Sequence, residues 1–356
     1  MKKTTVKSKF FLAPGHTACA GCGQMIAART VAQALGPNTI IANATGCLEV
    51  TTTKYPESSW GMPWIHSLFE NTAAVASGIR AALDYKNKRR PTSLKDVGRL
   101  NGARVVAQGG DGGTFDIGLG LISGMWERGD DIIYICYDTE AYSNTGIQAS
   151  GATPFGANTT TTPIGECPQN PSCVIPAKSL SSTRLGTEIQ NMTDMPSSWI
   201  PGSSPRMTKT QLCKLTGSEQ RKKDMIAIAL AHGLNYVAQT TAGFVDDIAA
   251  KIKKALATKG PSYIQILTPC VPGWNINPAH AVKVGKLAAQ TGLYPLLEYE
   301  NGQLTRVGKI PKPRIKVDEY LKPQGRFAHL FKSTKGKEQI EKIQKLADEN
   351  IRKYNL

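Results

Sequence analysis

A doubly wound, mostly parallel α/β sheet is the fold class this sequence predicts, and three observations predict it. Residues 105–146 read as strand, glycine-rich turn, helix, strand and polar loop, which is one βαβ unit. Short apolar or β-branched runs at 39–41, 236–238 and 263–267 recur with helical segments among them, as expected of a parallel sheet covered on both faces. The chain has 356 residues, ample for one large core, and no internal repeat divides it.

The βαβ unit organises the rest. Val105-Val106-Ala107 stops at a cluster of glycines around Asp111, and an amphipathic segment follows (Ile117, Leu119, Leu121, Ile122, Met125, Trp126). A second apolar run, Ile132 to Ile135, ends at Asp138-Thr139 and a loop carrying Asn144. In such units ligands sit beyond the carboxyl ends of the strands, where Asp111, Thr139 and Asn144 all fall. The chemistry this suits is a diphosphate held through a divalent cation, because Mg²⁺ takes a few side-chain oxygens and leaves the other positions to phosphate and water. Asp111 offers a carboxylate, Thr139 a hydroxyl, and the following loop backbone carbonyls. Gly112 and Gly113 let the backbone approach a phosphate at the start of the next helix. Gly-Asp-Gly alone is also ordinary turn chemistry. Gly-Asp-Gly closing one buried strand, with a Thr/Asn loop closing the next, is far more specific.

Cysteine forms a second constellation. Cys19 and Cys22 make a Cys-x-x-Cys knuckle in CAGCG, before a helical segment (Ile26, Ala27, Val31, Leu35). Cys47 follows a short strand in NATGC, and Cys270 follows the run at 263–267 in TPCVPGW. Eight cysteines in a large chain without an export signal point to metal or redox chemistry before disulfides. Four thiolates suit Zn²⁺ or an iron–sulfur cluster, and one knuckle joined by two distant cysteines leaves both open.

These motifs together resemble the β subunits of pyruvate:ferredoxin oxidoreductases (pyruvate synthases), within the 2-oxoacid:ferredoxin oxidoreductase family. GDG followed by DTEAYSNTG is similar to that family's thiamine diphosphate signature, and WGMPWIHSLFENTAAVASGIRAAL (60–83) and GATPFGANTTTTPIGE (151–166) belong to the same likeness. It spans roughly residues 10–165 and 225–330. The resemblance implies a pyrophosphate-type thiamine diphosphate domain. In it Gly110, Asp111, Gly112, Gly113, Thr139, Ala141 and Asn144 surround the cofactor. Asp111, Thr139 and the Ala141 carbonyl hold Mg²⁺, and Asn144 lies near the thiazolium and the substrate. It implies a 4Fe–4S cluster on Cys19, Cys22, Cys47 and Cys270, with Cys47 also beside the cofactor. The implied reaction converts pyruvate, CoA and oxidised ferredoxin into acetyl-CoA, CO₂ and reduced ferredoxin, with flavodoxin as a possible substitute carrier. It also implies that an α subunit supplies the glutamate facing the aminopyrimidine, alongside γ and ferredoxin-like δ subunits, so this chain alone is inactive. A non-redox thiamine enzyme with structural zinc at the four cysteines is the alternative, as is another 2-oxoacid as substrate.

Other features are less specific. The net charge of +16 suggests a polyanion or an acidic protein. The basic residues are spread out and carry no aromatic-basic platform, which favours an acidic partner such as ferredoxin or neighbouring subunits over nucleic acid. The only apolar stretch near the start, Phe10 to Ala13, is too short for a signal core, so a cytoplasmic chain without a membrane span is expected. Glu70, His16 and His66 are given no catalytic role. From 166 to about 222 Pro, Ser, Thr and Asn dominate, an irregular insertion containing Cys167, Cys173 and Cys213. The main domain is drawn as 10–302, and 303–356 as a basic extension with no assigned chemistry.

Overall fold

The computed structural model describes residues 10–54, 58–89, 102–165 and 215–356. The chain runs α1 (Gly23–Leu35), β1 (Thr39–Ala44), α2 (Cys47–Thr52), β2 (Trp64–Ser67), α3 (Thr72–Arg89) and β3 (Arg104–Gly109). It continues through α4 (Asp111–Phe115), α5 (Leu119–Glu127), β4 (Ile132–Asp138) and the short strands β5 (Ile164–Gly165) and β6 (Leu215–Thr216). Then come α6 (Met225–Ala231), β7 (Tyr236–Thr241), α7 (Val245–Ala257), β8 (Ser262–Leu267), α8 (Val271–Trp274) and α9 (Ala281–Gln290). The last elements are β9 (Leu297–Glu300), β10 (Gln303–Val307), α10 (Val317–Leu321) and α11 (Thr334–Tyr354).

Eight strands form one sheet in the order β10-β9-β7-β8-β4-β3-β1-β2. The six from β7 to β2 are parallel, and β9 and β10 add an antiparallel edge. Every residue of β4 is buried, which is why its sequence is a continuous apolar run and not an alternating one. Alternation survives in which face each residue takes. Ile133, Ile135 and Tyr137 join Val106, Ile264 and Ile266 against α1 and α7. Ile132, Tyr134 and Cys136 join Val105, Ala107 and Tyr263 against α3, α5 and α6. Helices on both faces make the sheet doubly wound.

Several local features depart from the expected pattern. The helix of the βαβ unit is two helices, because the chain breaks at Asp116–Gly118. Gly118 sits so tightly in that break that a Cβ there would lie 1.9 Å from the Gly113 carbonyl oxygen. The aromatic stretch before α3 contains an edge strand, β2, with Ile65 exposed. β9 and β10 form a hairpin through Asn301 and Gly302, both at positive φ (49° and 78°), the conformation of a primed turn. The boundary drawn at 302/303 falls inside that turn, so the sheet continues past it. Nor does the tail leave the fold. α8, α9, α10, α11 and the 3₁₀ turn Gly325–Phe331 enclose a third apolar core around Trp274, Val284, Tyr320, Phe327, Leu330 and Ile343. Residues 166–214, with Cys167, Cys173 and Cys213, lie outside the described residues, and the flanking β5 and β6 pair antiparallel. Residues 218–222, the end of the insertion expected from sequence, belong to the body, with Ser218 N donating to the Ala157 carbonyl at 2.8 Å. No helix among the described residues is long and apolar enough to cross a membrane.

Ile264, fully buried on central strand β8, tests the packing of the first core. Ile264→Ala is expected to lower stability by about 2–5 kcal/mol. The measurement is urea unfolding, with the midpoint moved down and the slope unchanged.

Candidate functional site

Sheet order creates the site. From β1 the chain moves to β2 on one side and then returns to β3 on the other, so the loops after β1 and β3 part at a topological switch point. There the carboxyl ends of β1, β3 and β4 open on a cleft of about 770 Å³, mouth included. Its walls hold Thr45, Gly46 and Cys47, then Gly110 to Gly113, and Thr139 with Ala141 to Thr145.

Three oxygens of different kinds converge inside it. Asp111 is buried, its Oδ1 accepting from the Thr139 backbone N–H at 2.8 Å and its Oδ2 from the Ser150 hydroxyl at 2.9 Å. The Thr139 hydroxyl donates to the Ala141 carbonyl at 3.0 Å and lies 3.5 Å from Asp111 Oδ1. Ser143 donates to the same threonine hydroxyl at 3.1 Å. Burial, and then the neighbouring Asp138, push the Asp111 carboxyl well above the usual carboxylate range, against the Thr139 N–H, Lys222 and Ser150. A carboxylate, hydroxyl and carbonyl so placed form a hard-oxygen set of the kind Mg²⁺ takes. Asn144 is exposed at the rim.

The glycines serve packing as much as access. A Cβ on Gly113 would lie 2.7 Å from the Phe69 carbonyl oxygen, and one on Gly112 would lie 3.3 Å from the Tyr142 ring. Gly110 has open space, with its nearest neighbour 3.9 Å away. α4, which follows, is only five residues long.

Behind the cleft the four motif cysteines interact electrostatically. Burial raises the Cys22 thiol, with Cys270 and Cys19 adding to the effect. Burial, then Cys270, Cys22 and Cys19, push Cys47 up to about 12. Burial raises Cys270 against help from Ser143 and the Gly273 N–H. Cys19 is exposed. No group of three or more His, Cys, Asp or Glu among the described residues is gathered tightly enough to hold a single metal ion. Cys47 belongs both to this group and to the cleft wall.

Sequence reasoning missed a buried charge network beneath the loop after β4. Lys222 Nζ lies 2.6 Å from Asp138 Oδ2 and 2.8 Å from Glu140 Oε1, while Arg326 Nη2 lies 2.6 Å from Glu140 Oε2. Gln265 also donates to Asp138, at 2.7 Å. Burial opposes the charge on Glu140, but Lys222 and Arg326 more than offset it and hold that carboxyl below its ordinary range. Burial wins at Asp138, whose carboxyl is raised. Asp116 pins the far rim, accepting from the Tyr142 hydroxyl at 2.5 Å and the Gly151 N–H at 3.0 Å. The one local signal was Glu140, an acid inside DTEAYSNTG; its partners sit in segments without motifs.

The profile of the family described as "Thiamine pyrophosphate enzyme, C-terminal TPP binding domain" matches residues 20–195 and 188–266. Pyruvate synthase subunit PorB of Methanosarcina barkeri is 43% identical over 356 residues, covering 100% of both chains. The chain belongs to the PorB family. The PorB subunit of Methanocaldococcus jannaschii is 44% identical over 97% of each chain. Ketoisovalerate oxidoreductase subunit VorB of Pyrococcus furiosus is 36% identical over 97% of this chain and 92% of its own. Within this family the chain is a thiamine-diphosphate-type subunit of a 2-oxoacid oxidoreductase.

The buried Asp111 carboxyl has a consequence for stability. Its raised folded value means that stability present below the ordinary carboxylate range is lost as pH rises through that raised value. In the chain without metal, Asp111→Asn is therefore expected to raise the thermal midpoint at pH 7 by a few degrees. It is also expected to flatten the pH dependence, read by circular dichroism melts between pH 5 and 8.

Proposed function

We propose that the chain is the thiamine diphosphate- and 4Fe–4S-binding β subunit of a pyruvate:ferredoxin oxidoreductase that forms acetyl-CoA and CO₂ from pyruvate and CoA, reversibly. The observation that carries the reading is the convergence of the Asp111 carboxylate, Thr139 hydroxyl and Ala141 carbonyl at the switch point, in a chain so similar to pyruvate synthase subunits. Identity of 43–44% to the two methanogen subunits named above, against 36% to the ketoisovalerate subunit, supports pyruvate, while pyruvate synthase subunits of other organisms fall to 35–37%.

In this reading Asp111, Thr139 and the Ala141 carbonyl hold Mg²⁺ on the diphosphate, and Gly110 to Gly113 lie along it. Asn144, at the rim, faces the substrate. Cys19, Cys22, Cys47 and Cys270 hold the cluster. The thiol chemistry fits a cationic group: crowding and burial make each added thiolate costly until iron compensates the charge. When bound, thiamine diphosphate supplies the nucleophilic carbon that lets a 2-oxoacid lose CO₂, and the cluster accepts electrons singly. The chain's own part is to hold both groups against one wall, at Cys47, and to shield the metal oxygens from water.

Asp111 is the only acid lining the cleft among the described residues, so the glutamate for the aminopyrimidine comes from a partner. We assign it to an α subunit in a cytoplasmic complex with γ and ferredoxin-like δ subunits, passing electrons to ferredoxin or flavodoxin. The isolated chain is expected not to oxidise pyruvate, and adding the partner subunits restores the reaction; unaided turnover would refute the division of labour.

Cofactor content is the direct test. Anaerobically purified protein is expected to carry about four irons and four acid-labile sulfides per chain, with an electron paramagnetic resonance signal after dithionite. Cys270→Ser is expected to lose or alter that signal. Zinc without sulfide would overturn the cluster.

A further inference from the structure

Glu140 is the one residue between the two loop oxygens of the candidate metal site, and its backbone is left-handed, with φ 61°. That conformation is rare for a residue with a long side chain, and it persists only where the surroundings over-determine it. It has a geometric result. Turning the chain at 140 brings the Thr139 hydroxyl and the Ala141 carbonyl to 3.0 Å from each other, on the side facing Asp111.

The surroundings of Glu140 hold it from every direction. Its N–H donates to Asp138 Oδ1 at 3.2 Å, and its carbonyl accepts from the Thr153 hydroxyl at 2.9 Å. Its two carboxylate oxygens are divided between Lys222 and Arg326, at 2.8 and 2.6 Å. The Arg326 guanidinium lies 3.8 Å from the centroid of the Trp274 ring, and the Trp274 indole N–H donates to the Thr139 carbonyl at 2.8 Å. Arg326 Nε donates to Gln324, so its planar fork is itself fixed.

We propose that Lys222 and Arg326 are positioning residues of the metal–diphosphate site: by bridging the Glu140 carboxylate they hold residue 140 left-handed and so set the spacing of the two loop oxygens. This rests on the thiamine diphosphate–Mg²⁺ reading above. The two cations reach the loop from the end of the insertion and from the C-terminal extension, segments with no chemistry of their own.

The test uses the purified subunit complex, with Mn²⁺ in place of Mg²⁺ as the spectroscopic probe. Mn²⁺ affinity is measured by electron paramagnetic resonance at saturating thiamine diphosphate, beside the thermal midpoint. Arg326→Met and Lys222→Met are expected to weaken Mn²⁺ binding about tenfold or more, and Arg326→Lys less than Arg326→Met. Adding Glu140→Gly to Arg326→Met is expected to recover most of the loss, since glycine takes a left-handed backbone without an anchor. Lys254→Met, which breaks another ion pair, with Glu298, is expected to lower the midpoint while leaving Mn²⁺ affinity within twofold. If Arg326→Met and Lys222→Met fold and bind Mn²⁺ within twofold of wild type, the network is structural only and the proposal fails. Should they not fold, Trp274→Phe removes the indole N–H to Thr139 together with part of the ring stacked on Arg326; about threefold weaker binding supports the proposal, and unchanged binding overturns it. Absence of thiamine diphosphate-dependent Mn²⁺ binding in wild type overturns the cofactor reading itself, and this proposal with it.

Discussion

Two carboxylates buried at the end of β4, Asp138 and Glu140, are the constraint on which much of the molecule depends. An unpaired buried carboxylate is far too costly to survive, so counter-charges must arrive with good geometry. Lys222 and Arg326 provide them, and each can arrive only if a distant part of the chain folds back. Arg326 is delivered by the 3₁₀ turn Gly325–Phe331, which is held by the third apolar core among α9, α10 and α11. The apolar packing of the C-terminal extension and the electrostatics of the cleft are therefore one problem. Loosening the third core would withdraw Arg326 and leave a buried acid beside the proposed metal oxygens.

Legibility in the sequence followed the range of each interaction. The βαβ unit, the switch-point loops and the oxygens of Asp111 and Thr139 were readable, because strand period, turn glycines and loop polarity are all local. The four cysteines were readable as a group from residue type and position at strand ends, although zinc and iron–sulfur were not separable by spacing. The charge network was not readable. Glu140 and Arg326 are 186 residues apart, and Lys222 is 82 from Glu140, so no window holds both ends of either pair. The β9–β10 hairpin is a different case. Asn301-Gly302 is a strong local turn signal, but the basic, proline-bearing tail after it hides in sequence that the sheet continues through β10. The break between α4 and α5 also had a local sign, Gly118, yet its cause is the Gly113 carbonyl pressed against it, a contact that periodicity does not report.

The position of Cys47 connects the two halves of the candidate site. It follows Gly46, whose φ of 156° suits glycine, and begins α2 directly after β1. One face of that turn lines the cleft, while the Cys47 thiol is raised by burial and then by the other motif cysteines. A group in the cleft and one at the cysteines would therefore share a single turn of backbone. The same turn imposes an electrostatic requirement, because Asp111 also raises Cys47. Without cations, the Asp111 carboxylate makes ionisation of the Cys47 thiol harder. A divalent ion at Asp111 and iron at the thiols, as proposed above, would compensate both charges. Cys47 is the one residue that belongs to both the cleft wall and the cysteine group, so the two halves of the candidate site share a wall.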